Sequence, residues 1–140
     1  MPERDPSALI QTCVDSNVLL FGTFTLKSGR QSPYFFNAGL LHQGSQLSCL
    51  AQHFSQALHE SGIEFDVIFG PAYKGISLAA ITVARLSTDY NKEVGFAYDR
   101  KEVKEHGEGG THVGAPLKRK RVIILDDVVS LPSYLRSSYV

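Results

Sequence analysis

Leu9, Ile10, Cys13 and Val14 recur at the spacing that lines one face of a helix. Asp5 before Pro6 predicts its start, as an N-cap with proline at the first helical position, and Asn17 predicts its stop. Phe21 to Leu26 and Tyr34 to Ala38 predict two short strands, with Lys27-Ser28-Gly29-Arg30-Gln31-Ser32-Pro33 as the turn between them. Leu47, Leu50, Phe54, Ala57 and Leu58 return to helical spacing, and Gly62 ends that helix. Phe65 to Phe69 predicts a strand. Ile76 to Leu86 predicts a helix that is apolar nearly all round, hence buried. Val94 to Tyr98 is a further strand. Arg100 to Ala115, with four glycines and mixed charge, predicts a mobile loop, and Val122 to Val128 is the last strand.

From residue 65 onward, strand and helix alternate. That order predicts an α/β domain built on a parallel sheet with right-handed crossovers. The first forty residues form a smaller helix-plus-hairpin addition. No internal repeat, low-complexity tract or interdomain linker interrupts the pattern.

Composition narrows the class without specifying it. The chain has 140 residues, 43% of them apolar and 20% charged, enough for one domain with its own core. Fourteen basic and fourteen acidic residues cancel, so the net charge gives no reason to expect nucleic acid or an anionic membrane. No apolar run approaches the roughly 18 residues of a membrane span, and the N-terminus has no secretory core. Cys13 and Cys49 are far apart and read as free thiols of a reducing compartment rather than a disulfide. A cytoplasmic chain is the expectation.

The chemistry concentrates where strands end. Arg121-Val122-Ile123-Ile124-Leu125-Asp126-Asp127 is an apolar run that stops on two adjacent carboxylates. In an open α/β sheet the carboxyl end of a strand is where ligands sit, and two acids there can hold a sugar diol. Gly70-Pro71-Ala72-Tyr73-Lys74-Gly75 lies between a strand and a helix. Its glycines permit close backbone approach to a ligand, the helix start favours an anion, and Lys74 adds a full charge. An ordinary turn with a surface lysine explains the segment about as well. Arg100, Lys101, Lys104 and His106 could converge on a phosphate-rich ligand, but the interleaved Glu102 and Glu105 favour a self-compensating solvated loop. Lys118-Arg119-Lys120-Arg121 reads as a solvated turn. Phe35 and Phe36 should point to opposite faces of their strand, where one could stack on a planar base or both could pack. His42, His53 and His59 sit around one helix without metal-ligand pairing.

Singly these segments decide little; their order decides more. Phe24-Thr25-Leu26-Lys27-Ser28-Gly29-Arg30-Gln31-Ser32-Pro33-Tyr34-Phe35-Phe36-Asn37-Ala38-Gly39 is followed by Phe69-Gly70-Pro71-Ala72-Tyr73-Lys74-Gly75-Ile76. Then come Asp99-Arg100-Lys101-Glu102-Val103-Lys104-Glu105-His106-Gly107-Glu108-Gly109-Gly110 and Val122-Ile123-Ile124-Leu125-Asp126-Asp127-Val128. This succession closely resembles orotate phosphoribosyltransferase, of the type I phosphoribosyltransferase family, from about Leu9 to Val129. The resemblance implies a parallel sheet with flanking helices (residues 43–129) and a small N-terminal helix/hairpin hood (residues 1–42). It implies transfer of ribose 5-phosphate from 5-phosphoribosyl 1-diphosphate to orotate, giving orotidine 5′-phosphate and diphosphate in pyrimidine (UMP) biosynthesis. Mg²⁺ accompanies the diphosphate, and the family works as a homodimer.

By the same resemblance, Lys27 contacts 5-phosphoribosyl 1-diphosphate, and Phe35 and Phe36 border the orotate ring. Tyr73 and Lys74 lie in the diphosphate loop. Arg100, Lys101, Lys104 and His106 belong to a mobile catalytic loop that closes over the neighbouring subunit's site, which reverses the reading from charge alone. Asp126 and Asp127 hold the ribose hydroxyls. After the two acids and two apolar residues the family continues Thr-Ala-Gly-Thr, a turn that wraps the 5′-phosphate. Here Ser130-Leu131-Pro132-Ser133 follow. Ser130 can imitate the threonine hydroxyl, but there is no glycine and Pro132 has no N–H. The expectation is therefore a fold incomplete at the C-terminus, with residues 130–140 a non-family tail, read through from a retained intron. An exposed apolar edge at the last strand and weak or no activity for this chain alone follow. The alternative is a non-catalytic form that pairs with or modulates a full-length dimer.

Overall fold

A computed structural model of the chain describes residues 6–101 and 111–128. They fall into two compact units, Met1–Phe54 and Ser55–Val140, with the division inside a helix.

In the first unit, helix α1 spans Ser7–Asp15 and is capped by Pro6, one position earlier than the sequence suggests for that proline; Asp5 lies outside the described residues. It closes at Asn17, whose φ is 56°. The Val18 N–H reaches back to the Cys13 carbonyl and the Asn17 N–H to that of Val14, the hydrogen-bond pair of a Schellman turn. Strands β1 (Leu19–Thr25) and β2 (Gln31–Phe36) form an antiparallel ribbon. The expected turn over residues 27–33 is shorter, because β2 already includes Pro33. The pairing shifts between Phe21 and Phe24, so Gly22 and Thr23 bulge opposite Pro33, and the ladder is broken where proline has no N–H to donate. Helix α2 (Gly44–Glu60) starts where the Gln46 side chain reaches back to accept the His42 and Gln43 N–H groups. Cys13 is a buried free thiol and Cys49 a half-buried one. Burial, and secondarily the nearby Cys49, push the Cys13 thiol up, away from the reactive thiolate.

The second unit holds a four-stranded sheet in the order β5-β4-β3-β6. Strand β3 (Val67–Gly70) is central, with β4 (Gly95–Asp99) parallel on one side and β6 (Val122–Ile124) parallel on the other. The expected parallel sheet is thus found, with one correction. His112–Gly114, placed by sequence inside the loop, forms β5 and pairs antiparallel with β4. The last strand is also shorter than Val122 to Val128, although the Leu125 N–H still reaches the Phe69 carbonyl.

Every residue of β3 is buried, as its continuous apolar run requires of a strand covered on both faces. Ile68 packs with Phe65, Ala79 and Leu86 on one face, and Val67 and Phe69 pack with Ala97 on the other. Helix α3 (Lys74–Tyr90) buries one face, Gly75, Leu78, Ala79, Thr82 and Leu86, and leaves Ala84 exposed. The expectation of burial all round fails because the helix is covered by the sheet on one side. β6 is the sheet's edge among the described residues, with Val122 and Ile124 37% and 40% exposed.

At the amino end of the parallel strands, Lys118 to Arg121 are exposed and turn at residues 118–119, the solvated turn expected from sequence, but Arg121 also has a specific partner. Its backbone N–H and its guanidinium both donate to Asp66, at 2.8 Å and, through Nη2, 2.9 Å. These hydrogen bonds hold the Asp66 carboxyl well below the usual carboxylate range and raise the Arg121 guanidinium above its own. The pair fastens the start of β6 to the start of β3.

Candidate ligand site at the carboxyl edge of the sheet

Because β4, β3 and β6 are parallel, their carboxyl ends share one edge. Three segments leave it: Asp99-Arg100-Lys101 after β4, Pro71-Ala72-Tyr73 after β3, and Leu125-Asp126-Asp127 after β6. Open α/β sheets bind ligands at such an edge.

The connection from β3 to α3 is only Pro71-Ala72-Tyr73, and its Ala72–Tyr73 peptide is cis. Helix α3 begins at Lys74, earlier than the apolar pattern suggests, so Lys74 is its first residue. Its N-cap, Tyr73, makes no side-chain capping bond and no acid stands in the first turn. The opening of α3 therefore keeps its affinity for an anion. The two glycines serve the fold more directly than a ligand. A Cβ on Gly70 would lie 2.2 Å from the Gly75 carbonyl oxygen, and one on Gly75 would lie 2.7 Å from that of Leu125. Glycine at both positions lets the loop, the helix start and the end of β6 close on one another.

Across that junction the Lys74 ammonium donates to Asp127 Oδ2 at 3.0 Å. Lys74 is 61% exposed in its side chain and Asp127 15%. Both acids are set by their own backbone: Asp126 Oδ1 accepts the Asp127 N–H and Asp127 Oδ1 the Val128 N–H, each at 2.9 Å. On the other side, Asp99 Oδ1 accepts the Ala72 N–H at 2.5 Å, and the Lys101 ammonium sits 4.8 Å above the Tyr73 ring. The edge thus presents a helix start with its lysine and, beside it, a pair of carboxylates. It can hold an anionic group at the first and a diol at the second.

Of the residues singled out from sequence, Tyr73, Lys74, Arg100, Lys101, Asp126 and Asp127 meet along this edge. Lys27, Phe35 and Phe36 belong to the first unit, Lys27 exposed in the turn after β1. Phe35 lies beside Phe24, ring centroids 5.7 Å apart, and Phe35 and Phe36 are both half-exposed. Lys104, His106 and Ser130 lie outside the described residues. Among the histidines, His53 Nδ1 is 2.8 Å from the Cys49 carbonyl oxygen and His59 stacks on Tyr90. Two residues to which sequence assigned no role matter here. Asp99 was visible as an acid at the carboxyl end of a strand, the same signal that marked Asp126. Asp66 had no such signal, since its partner lies 55 residues away.

A phosphoribosyl transferase domain model matches residues 38–130, and the chain belongs to that family. Within it, the chain is similar to orotate phosphoribosyltransferases. It is 52% identical over 130 residues to that of Schizosaccharomyces pombe, covering 93% of this chain and 60% of the relative. With that of Saccharophagus degradans it shares 56% identity over 127 residues, 91% of this chain and 59% of the relative. The crystal structure of orotate phosphoribosyltransferase from Francisella tularensis superposes with a TM-score of 0.84 at 42% identity, covering 98% of this chain and 63% of that one. The chain spans about 60% of the length of the curated relatives it matches.

Proposed function

We propose that this chain carries the 5-phosphoribosyl 1-diphosphate site of an orotate phosphoribosyltransferase, which forms orotidine 5′-phosphate and diphosphate. The observation that carries the reading is the pairing of Lys74, at the opening of α3, with Asp127, at the end of the adjacent strand. One substrate requires both halves of that arrangement. Its diphosphate belongs at the helix start and Lys74, and its ribose diol at Asp126 and Asp127. When the glycosidic carbon–oxygen bond to diphosphate breaks, negative charge grows on the leaving oxygens. Fixed N–H groups and Lys74 stabilise that charge without reorganising. Arg100 and Lys101 stand at the root of the segment read as the catalytic loop, and the loop's closure excludes water. Lys104, His106, Ser130, Lys27, Phe35 and Phe36 complete the reading in the roles the resemblance implies.

Mg²⁺ enters this reading with the diphosphate. Such an ion keeps several waters and takes one or two carboxylates besides phosphate oxygens. Asp126 and Asp127 fit that need, and among the described residues no group of three or more His, Cys, Asp or Glu forms a cage of its own. When bound, the ion neutralises part of the diphosphate charge. The homodimer and the cytoplasmic setting come with the family reading and rest on it alone.

The test is base selectivity. The chain is incubated with 5-phosphoribosyl 1-diphosphate, Mg²⁺ and orotate, uracil, adenine or hypoxanthine, and nucleotide products are separated chromatographically. Since this chain alone is expected to turn over weakly or not at all, even trace product from orotate and no other base supports the proposal. Product from another base but not from orotate, or no saturable binding of 5-phosphoribosyl 1-diphosphate by calorimetry, overturns it.

A further inference from the structure

We propose that Asp99 is a positioning residue for the loop Pro71-Ala72-Tyr73, holding the opening of α3 in its anion-receiving shape through the Ala72 N–H. The inference rests on the reading of that loop as the diphosphate-binding element.

Beyond its close packing against the start of α3 and the end of β6, few hydrogen bonds among the described residues fix the loop. It joins β3 to α3 in three residues, and Pro71 has no N–H. Among the described residues, the Tyr73 carbonyl accepts a long bond, 3.3 Å from the Ile76 N–H. The Ala72 N–H is taken by Asp99 Oδ1 at 2.5 Å, from a strand 27 residues away in sequence. Two residues after Asp99, Lys101 covers the ring of Tyr73, so the end of β4 grips two successive loop residues. Asp99 itself is the last residue of β4, paired with His112 of β5 and so fixed by the ladder. Arg100 is fixed alongside it, its N–H donating to the Thr111 carbonyl at 2.8 Å.

Charge makes the role distinguishable from simple electrostatics. A carboxylate beside an anion site repels the anion. If charge were the whole of Asp99's effect, removing it would tighten diphosphate binding. If the hydrogen bond to Ala72 sets the loop, removing the acceptor weakens binding, and a neutral acceptor restores it.

The experiment uses the whole chain with inorganic diphosphate and Mg²⁺ as probe. Affinity is read by calorimetry and exchange of the Ala72 amide by NMR. Asp99→Ala should weaken diphosphate binding by about tenfold or more and speed Ala72 exchange by a similar factor. Asp99→Asn should stay within about threefold of the wild type in both, or bind tighter. Asp66→Asn, which loosens the opposite end of the same sheet, should lower the melting temperature and leave diphosphate affinity unchanged. Asp99→Ala with wild-type affinity, or with unchanged Ala72 exchange, overturns the proposal. If the wild type binds no diphosphate while Asp99→Ala still frees the Ala72 amide, the hold on the loop stands and the diphosphate reading is what fails.

Discussion

The Lys74 ammonium lies 3.0 Å from the Asp127 carboxylate, joining the first residue of α3 to the acid that follows the adjacent strand. With Lys74 largely exposed, such a pair contributes at most about 1 kcal/mol to stability. The arrangement is therefore better suited to being opened by a ligand than to holding the fold. A diphosphate can take the lysine from Asp127 and leave that carboxylate to accept sugar hydroxyls.

Lys74→Ala should separate the two roles. The denaturation midpoint should change by less than about 1 kcal/mol in equivalent stability. Affinity for 5-phosphoribosyl 1-diphosphate with Mg²⁺ should fall about ten- to hundredfold, the loss of a hydrogen bond to a charged group worth about 1.5–3 kcal/mol. Urea melts and calorimetry on the same preparations measure both.

Gly75→Ala should damage the fold itself. Its Cβ would meet the Leu125 carbonyl oxygen and Pro71 Cδ, both at 2.7 Å. Neither backbone oxygen nor proline ring can swing away, so a cost of about 1–3 kcal/mol follows. Gly70→Ala, facing the Gly75 carbonyl at 2.2 Å, should cost more. Wild-type urea midpoints for both variants would refute the packing described at this junction.

Acid should release the Asp66–Arg121 fastening. The folded Asp66 carboxyl lies below its unfolded value because Arg121 hydrogen-bonds its ionised form. Its contribution is complete above the ordinary carboxylate pKa of about 4 and is lost as pH falls through the lower, folded pKa. Asp66→Asn should therefore be less stable than the wild type at neutral pH, with the difference shrinking below about pH 4. Melting temperatures of both proteins across that range check the convergence.

The segment after Asp126-Asp127 offers a gain-of-function test. Ser130-Leu131-Pro132-Ser133 contains no glycine, and Pro132 has no N–H to give a phosphate. Changing Ser130→Thr, Leu131→Ala, Pro132→Gly and Ser133→Thr together introduces the sequence that the resemblance implies for a phosphate-binding turn. Affinity for 5-phosphoribosyl 1-diphosphate should rise about tenfold or more, as each regained hydrogen bond to the phosphate is worth about 1.5–3 kcal/mol. Unchanged affinity by calorimetry would show that this segment takes no part.

Which parts of this molecule were legible in its sequence follows from how local their causes are. Val122 to Asp127 and Phe69 to Gly75 announce themselves, since an apolar run ending in acids, or in a glycine-flanked turn before a helix, is a nearest-neighbour pattern. Pro33 misled because its place in β2 depends on a bulge in the facing strand. His112–Gly114 misled because three residues with a glycine carry no strand signal of their own and pair only because β4 offers an edge. Arg121 was hidden in a basic run, its specificity residing in Asp66, 55 residues distant. Lys74 and Asp127 were each noticed, but their pairing needed β6 to lie beside β3, which the alternation of elements does not dictate.

Backbone amide chemical shifts during titration with 5-phosphoribosyl 1-diphosphate and Mg²⁺ test the central claim most directly. The account predicts saturable changes at Ala72 to Ile76, Asp99 to Lys101 and Asp126 to Val128, with Asp66 and Arg121 at the opposite end unmoved. Saturable binding that leaves those three segments silent, or no binding at all, would contradict it.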